Sequence, residues 1–103
     1  MNLELFSAND PEKDQIRKLK SLAGDLEHKF QNQPYNITPE LLQEILGALQ
    51  KLSTLTKRHT LLNKISDLIV TIAAAIRYYL DNKYEEFYRR VGVIIDKLKD
   101  LDE

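Results

Sequence analysis

Residues 60–80 read TLLNKISDLIVTIAAAIRYYL, and this stretch decides the fold. Leu61, Ile65, Leu68, Ile72, Ala75 and Tyr79 recur every three or four residues, so they share one face of a helix. Leu62, Ile69 and Ile76 fall on a neighbouring face. Apolar cover over so much of the circumference predicts the central, most buried helix of a bundle. Its most apolar part, residues 68–76, covers less than half of the roughly 20 residues needed to span a bilayer. Asp67 and Arg77 bracket that run, which therefore reads as buried by other helices.

Working outward, Asp81-Asn82-Lys83 breaks the pattern, and Asn82 with Glu85 three residues later has the form of a capping box. Phe87, Val91, Ile94, Leu98 and Leu101 follow as a near-heptad stripe. On the other side, residues 53–59 are polar and read as a turn whose hydroxyls cap the next helix. Upstream, Leu41, Leu42, Ile45, Leu46, Leu49 and Leu52 form a stripe behind the start signal Thr38-Pro39-Glu40. Ile16, Leu19, Leu22, Ala23, Leu26 and Phe30 form another behind Asp10-Pro11-Glu12, a capping residue before a proline in the first turn. Gln31-Asn32-Gln33-Pro34-Tyr35-Asn36 ends that first helix. No segment alternates with period two for long enough to form a strand. Four helices, at about residues 11–30, 39–52, 60–80 and 83–101, with short connections predict a single all-α domain, an antiparallel four-helix bundle. Residues 1–9 precede the first cap, either frayed or laid across the bundle end through Leu3, Leu5 and Phe6.

The 103 residues carry 15 Lys+Arg against 16 Asp+Glu, a net charge of −1. That balance argues against non-specific nucleic-acid binding, which needs a basic field. With 0 Cys there is no disulfide, thiolate metal site or cysteine nucleophile. The N-terminus has no basic n-region and no long apolar h-region, so a cytoplasmic location is expected.

Catalytic chemistry finds little support. Asp25 and His28 lie three apart on the first helix, but a carboxylate-bridged metal bundle needs several such positions on facing helices. His59 falls in the polar turn beside Lys57 and Arg58. Ser7, Ser21, Ser53 and Ser66 show no nucleophile elbow. Gly24, Gly47 and Gly92 are single glycines inside helical patterns, and their expected use is close helix packing. Neither an enzyme nor a bound cofactor or metal is expected.

The tyrosines carry more information. Tyr78, Tyr79, Tyr84 and Tyr88 surround the third turn, interleaved with Arg77, Lys83, Arg89 and Arg90. Tyrosine and arginine combine contact area with polar reach, the composition of protein–protein hot spots. The basic residues of the second half, Lys57-Arg58 and Lys64 among them, also suit an anionic membrane surface or an acidic partner.

The opening Asn2-Leu3-x-x-Phe6-Ser7-x-x-Asp10, its Lys/Arg-rich first helical turn and Asp25-Leu26-Glu27 resemble the immunity proteins that protect producers of pediocin-like (class IIa) bacteriocins. The resemblance implies a cytosolic, non-enzymatic four-helix bundle. It implies as partner the membrane mannose-phosphotransferase permease with bound bacteriocin, and discrimination among bacteriocins in the C-terminal half. Residues and resemblance together nominate Lys57, Arg58, Arg77, Tyr84, Tyr88, Arg89 and Arg90 as contact residues, with peripheral contact at the membrane face. The alternative is a generic helical interaction module: a secretion chaperone, an antitoxin or a homodimeric bundle using the second apolar face of the third helix.

Overall fold

The computed structural model describes residues 10–101 and shows four helices with no strand among them. They are α1 (Pro11–Asn32), α2 (Pro39–Leu55), α3 (His59–Leu80) and α4 (Tyr84–Lys99). Each packs against its neighbours in sequence, and α4 closes the ring against α1. The result is the antiparallel four-helix bundle expected from the periodicity. Residues 1–9, and with them the expectation for Leu3, Leu5 and Phe6, lie outside the described residues.

Helix α1 starts as its sequence specifies. The Asp10 carboxylate accepts the Lys13 backbone N–H at 3.1 Å, satisfying a donor that the first turn leaves open. Ile16, Leu19, Leu22, Ala23 and Leu26 are buried, and Gln15 joins them by donating to the Ala48 carbonyl at 3.0 Å. The helix runs two residues past Phe30, and the Asn32 amide donates to the His28 carbonyl in its last turn. A 3-10 turn (Pro34–Asn36) follows, and Ile37 turns inward to be 1% exposed.

Helix α2 extends three residues beyond the stripe ending at Leu52. Ser53 and Thr54 do not cap α3. Their hydroxyls donate back to the Gln50 and Lys51 carbonyls at 2.6 and 2.7 Å, which keeps them inside α2. The connection shrinks to residues 56–58, where the Thr56 hydroxyl accepts the Arg58 N–H at 3.2 Å. His59 belongs to α3 rather than to a turn.

The expectation that α3 is the most buried element does not hold. It buries six of its 22 residues, as α1 does, whereas α4 buries five of 16. A helix in a four-membered ring has two neighbours, so an outward face remains even when its residues are apolar. Leu61, Ile65, Leu68, Ile72 and Ala75 take the core positions. Leu62, Ile69 and Ile76 are half-buried, and Val70 and Leu80 are exposed. Counted whole, α3 is long and apolar enough by length and composition to cross a membrane, unlike its nine-residue apolar run. Here its core stripe is spent on the bundle.

The turn from α3 to α4 is a Schellman motif, with Asn82 in the left-handed region at φ 62°. The Lys83 N–H reaches the Tyr78 carbonyl at 2.8 Å and the Asn82 N–H reaches that of Tyr79 at 3.0 Å. Asn82 therefore terminates α3 and does not form a capping box with Glu85. Lys83 occupies the N-cap of α4 without a side-chain bond. Phe87, Val91, Ile94, Leu98 and Leu101 are all buried, as their spacing predicts. At the far end Lys64 Nζ donates to the Asp100 carbonyl at 2.8 Å, and ion pairs Lys97–Asp67 and Lys99–Glu27 tie α4 to α3 and α1.

Two of the three glycines are not used for packing. A Cβ at Gly24 or Gly47 meets nothing, whereas one at Gly92 comes within 3.5 Å of the Phe30 ring. Gly24→Ala and Gly47→Ala are each expected to stabilise the fold by about 0.5–1 kcal/mol, the helix-propensity difference between the residues. Urea unfolding of the single and double variants measures this.

Candidate functional site

The antiparallel topology brings two connections to one end of the bundle: the 3-10 turn between α1 and α2, and the Schellman turn between α3 and α4. Tyr35 comes from the first, Tyr79 from the last turn of α3, and Tyr84 and Tyr88 from the start of α4. Together they line an open concavity of about 320 Å³. Tyr84 and Tyr88 are four apart and so project from one side of α4.

The rings meet edge to face. Tyr35 and Tyr88 lie 5.8 Å apart at 86°, and Tyr79 and Tyr84 lie 5.4 Å apart at 75°. Beneath them Phe87, fully buried, contacts Tyr79 at 4.9 Å and Tyr88 at 5.3 Å. Such arrangements favour the ring quadrupoles and add stabilisation beyond area burial. The Tyr84 hydroxyl donates to Asn82 Oδ1 at 2.9 Å, so the residue that ends α3 also holds a ring of the site.

Burial pushes the Tyr88 phenol above its ordinary value, and the nearby phenols of Tyr79, Tyr35 and Tyr84 push it further. Its folded pKa exceeds its unfolded one. Its stabilising contribution is therefore complete below about pH 10 and is lost as pH rises through the folded value. Alkaline titration followed by phenolate absorbance should show a late-ionising tyrosine that disappears in Tyr88→Phe. The same variant should lose less stability than the parent above about pH 10.

The seven nominated contact residues divide between the two ends. Arg77, Tyr84, Tyr88 and Arg89 sit at the tyrosine end. Arg77 is ion-paired with Asp81 at 3.2 Å and Arg89 with Glu86 at 3.3 Å, both on exposed side chains. Arg90, on the same helix, lies with its guanidinium 5.6 Å from the Tyr78 ring centre, a cation–π contact joining α4 to α3. Its buried Nε has no hydrogen-bond partner. Lys57 and Arg58 lie in the α2–α3 connection, at the opposite end of α3 and about 33 Å away by the rise of a 22-residue helix. Arg58 pairs with Glu12 at 3.1 Å on the rim of a second depression, of about 470 Å³, that also includes Lys13, Arg17 and Lys20. The seven do not form one patch.

Tyr35 was not among the nominated residues, although it is 86% exposed and completes the concavity. It is far in sequence from the other tyrosines, and only chain reversal brings it to them. His28 is exposed and lies 3.3 Å from the Asn32 amide. Among the described residues no three His, Cys, Asp or Glu side chains converge as metal ligands. Comparison with protein-family models, with curated proteins and with solved structures finds no match.

Proposed function

We propose that this protein confers immunity to a pediocin-like bacteriocin, acting in the cytosol by protein–protein contact with the bacteriocin-engaged mannose-phosphotransferase permease at the inner face of the membrane. The observation that carries this reading is the exposed tyrosine–arginine surface at one bundle end. It is built from Arg77, Tyr84, Tyr88 and Arg89 in the C-terminal half, where the resembled family discriminates among bacteriocins. The opening from Asn2 to Asp10 and the four-helix architecture support it. Aromatic and arginine side chains on rigid helix ends are suited to recognition rather than catalysis.

The test is protection. Expressed in a sensitive lactic-acid or listerial strain and challenged with a panel of pediocin-like peptides, the chain is expected to rescue growth selectively against one or two of them. Replacing Tyr84 and Arg89, both exposed, by alanine should reduce protection at least about tenfold while changing stability by no more than about 2 kcal/mol. Uniform killing by every peptide, with the protein soluble and abundant, overturns the reading.

One observation favours a homodimeric bundle as the second reading. Lys64, Asp67 and Tyr78 meet Asp100, Lys97 and Arg90, which places α4 on one flank of α3. On the other flank, helical spacing aligns Leu62, Ile69, Ala73, Ile76 and Leu80 beside Gln43, Leu46, Gln50 and Ser53 of α2, with no charged side chain among them. A face without charges meets its own copy without like-charge repulsion, as a two-fold contact requires. A dimer by light scattering at micromolar concentration, abolished by Ile69→Glu, would establish it.

A further inference from the structure

We propose that the four-tyrosine concavity is a recognition site for an organic ammonium ion, whose cationic head sits among the faces of Tyr35, Tyr79, Tyr84 and Tyr88. The inference stands on the geometry of the rings and does not depend on the immunity reading.

In an edge-to-face pair, the space in the angle is bounded by a face of each ring. Here two such pairs, at 86° and 75°, line one open concavity from three separate elements of the fold. A phenol face carries the negative end of the ring quadrupole, so several faces around one space attract a cation whose charge is spread over carbon-bound hydrogens. The attraction acts within about 6 Å of each centroid. A compact ammonium head fits a space of about 320 Å³ with room for the chain that carries it.

The charged groups around the concavity balance, so the ring faces rather than a net charge set its preference. Neither arginine flanking the site carries an unpaired charge, since Arg77 is engaged by Asp81 and Arg89 by Glu86. Arg90 lies over Tyr78, whose ring does not line the concavity. Tyr84 also forms a wall of the adjoining depression that contains Lys83, Glu85 and Glu86, of which Glu86 is already paired with Arg89. The rings are held before any ligand arrives: Tyr79 and Tyr88 rest on buried Phe87, and Tyr84 is tied to Asn82. Pre-organisation of this kind lowers the ordering cost of binding. Tyr35, 86% exposed, closes the site from the α1–α2 side.

An ammonium head of this size is supplied by a quaternary ammonium headgroup or by a lysine side chain of a polypeptide. Titration of the full chain, followed by NMR of the tyrosine rings at constant ionic strength, separates them. The probes are choline, its uncharged isostere dimethylbutanol, and an N-acetyl-lysine amide. At least one cation is expected to shift the rings of Tyr35, Tyr79, Tyr84 and Tyr88 saturably, with affinity at least about tenfold above that for dimethylbutanol. Response to choline alone assigns a quaternary headgroup, and response to the lysine amide assigns a polypeptide ligand. Tyr35→Leu, at an exposed position, should weaken binding at least about threefold with the melting temperature unchanged. Equal binding of choline and dimethylbutanol, or no ring shift with either cation up to about 100 mM, overturns the proposal.

Discussion

Phe87→Ala is expected to destabilise the protein by about 3–5 kcal/mol, a large part of the roughly 5–15 kcal/mol typical of a domain. Phe87 is fully buried at the first turn of α4, where the ends of α3 and α4 meet. Truncation removes a buried ring and leaves a cavity that the stiff ends of two helices fill poorly. It also removes one of the two edge-to-face partners of Tyr79 and of Tyr88. The effect should therefore appear twice: as a lowered midpoint in urea, and as averaged ring resonances for the tyrosines of the concavity under native conditions. Phe87→Leu keeps most of the volume and should cost clearly less, about 1–1.5 kcal/mol. A loss below about 1 kcal/mol for the alanine variant would mean that the cluster is not packed as described.

Ile37→Ala is expected to cost about 2–4 kcal/mol, although the residue lies outside every helix. Ile37 directly precedes Thr38, the N-cap of α2, and Leu42 is the fourth residue of that helix. These are the two positions of a hydrophobic staple, and both side chains are buried in the core. The Ile37 N–H is satisfied by the Pro34 carbonyl at 3.2 Å, so the chain is turned inward by the 3-10 turn. Thr38, by contrast, makes no side-chain capping bond, and Thr38→Ala should change stability by no more than about 0.5 kcal/mol. The contrast between neighbouring positions, measured by urea unfolding, tests whether α2 is started by its cap or by the staple. Equal and small effects would refute the staple.

The four stripes were legible because each helix buries one face, and a one-sided helix leaves a period of three to four in its sequence. That is why spacing alone assigns Leu61, Ile65, Leu68, Ile72 and Ala75, and Phe87, Val91, Ile94, Leu98 and Leu101, to the core. Helix ends were less legible. Ser53, Thr54 and Asn82 each carry a side chain with two local uses, capping the next helix or bonding back to the last one. Their identity does not choose between them. Glycine use is illegible for a related reason: a helical glycine looks the same in sequence whether it faces a ring, as Gly92 does, or solvent, as Gly24 and Gly47 do.

The candidate site divides along the same line. Tyr79, Tyr84 and Tyr88 lie together because one short turn joins them, whereas Tyr78, which the sequence groups with them, meets Arg90 and does not line the concavity. Tyr35 and Ile37 were missed because their roles come from contacts with distant parts of the chain. Lys57 and Arg58 were grouped with the tyrosines by charge and composition, which carry no information about which end of a bundle a loop occupies. By itself, then, the sequence determined the number of helices, the stripe each one buries, the start of α1 at Asp10 and the absence of cysteine chemistry. Only the tertiary structure decided which turns share an end, how far α3 is covered, and that four tyrosines from three elements line one open concavity. Period and capping act within a few residues along the chain, whereas a site at a bundle end exists only after the chain has reversed direction three times.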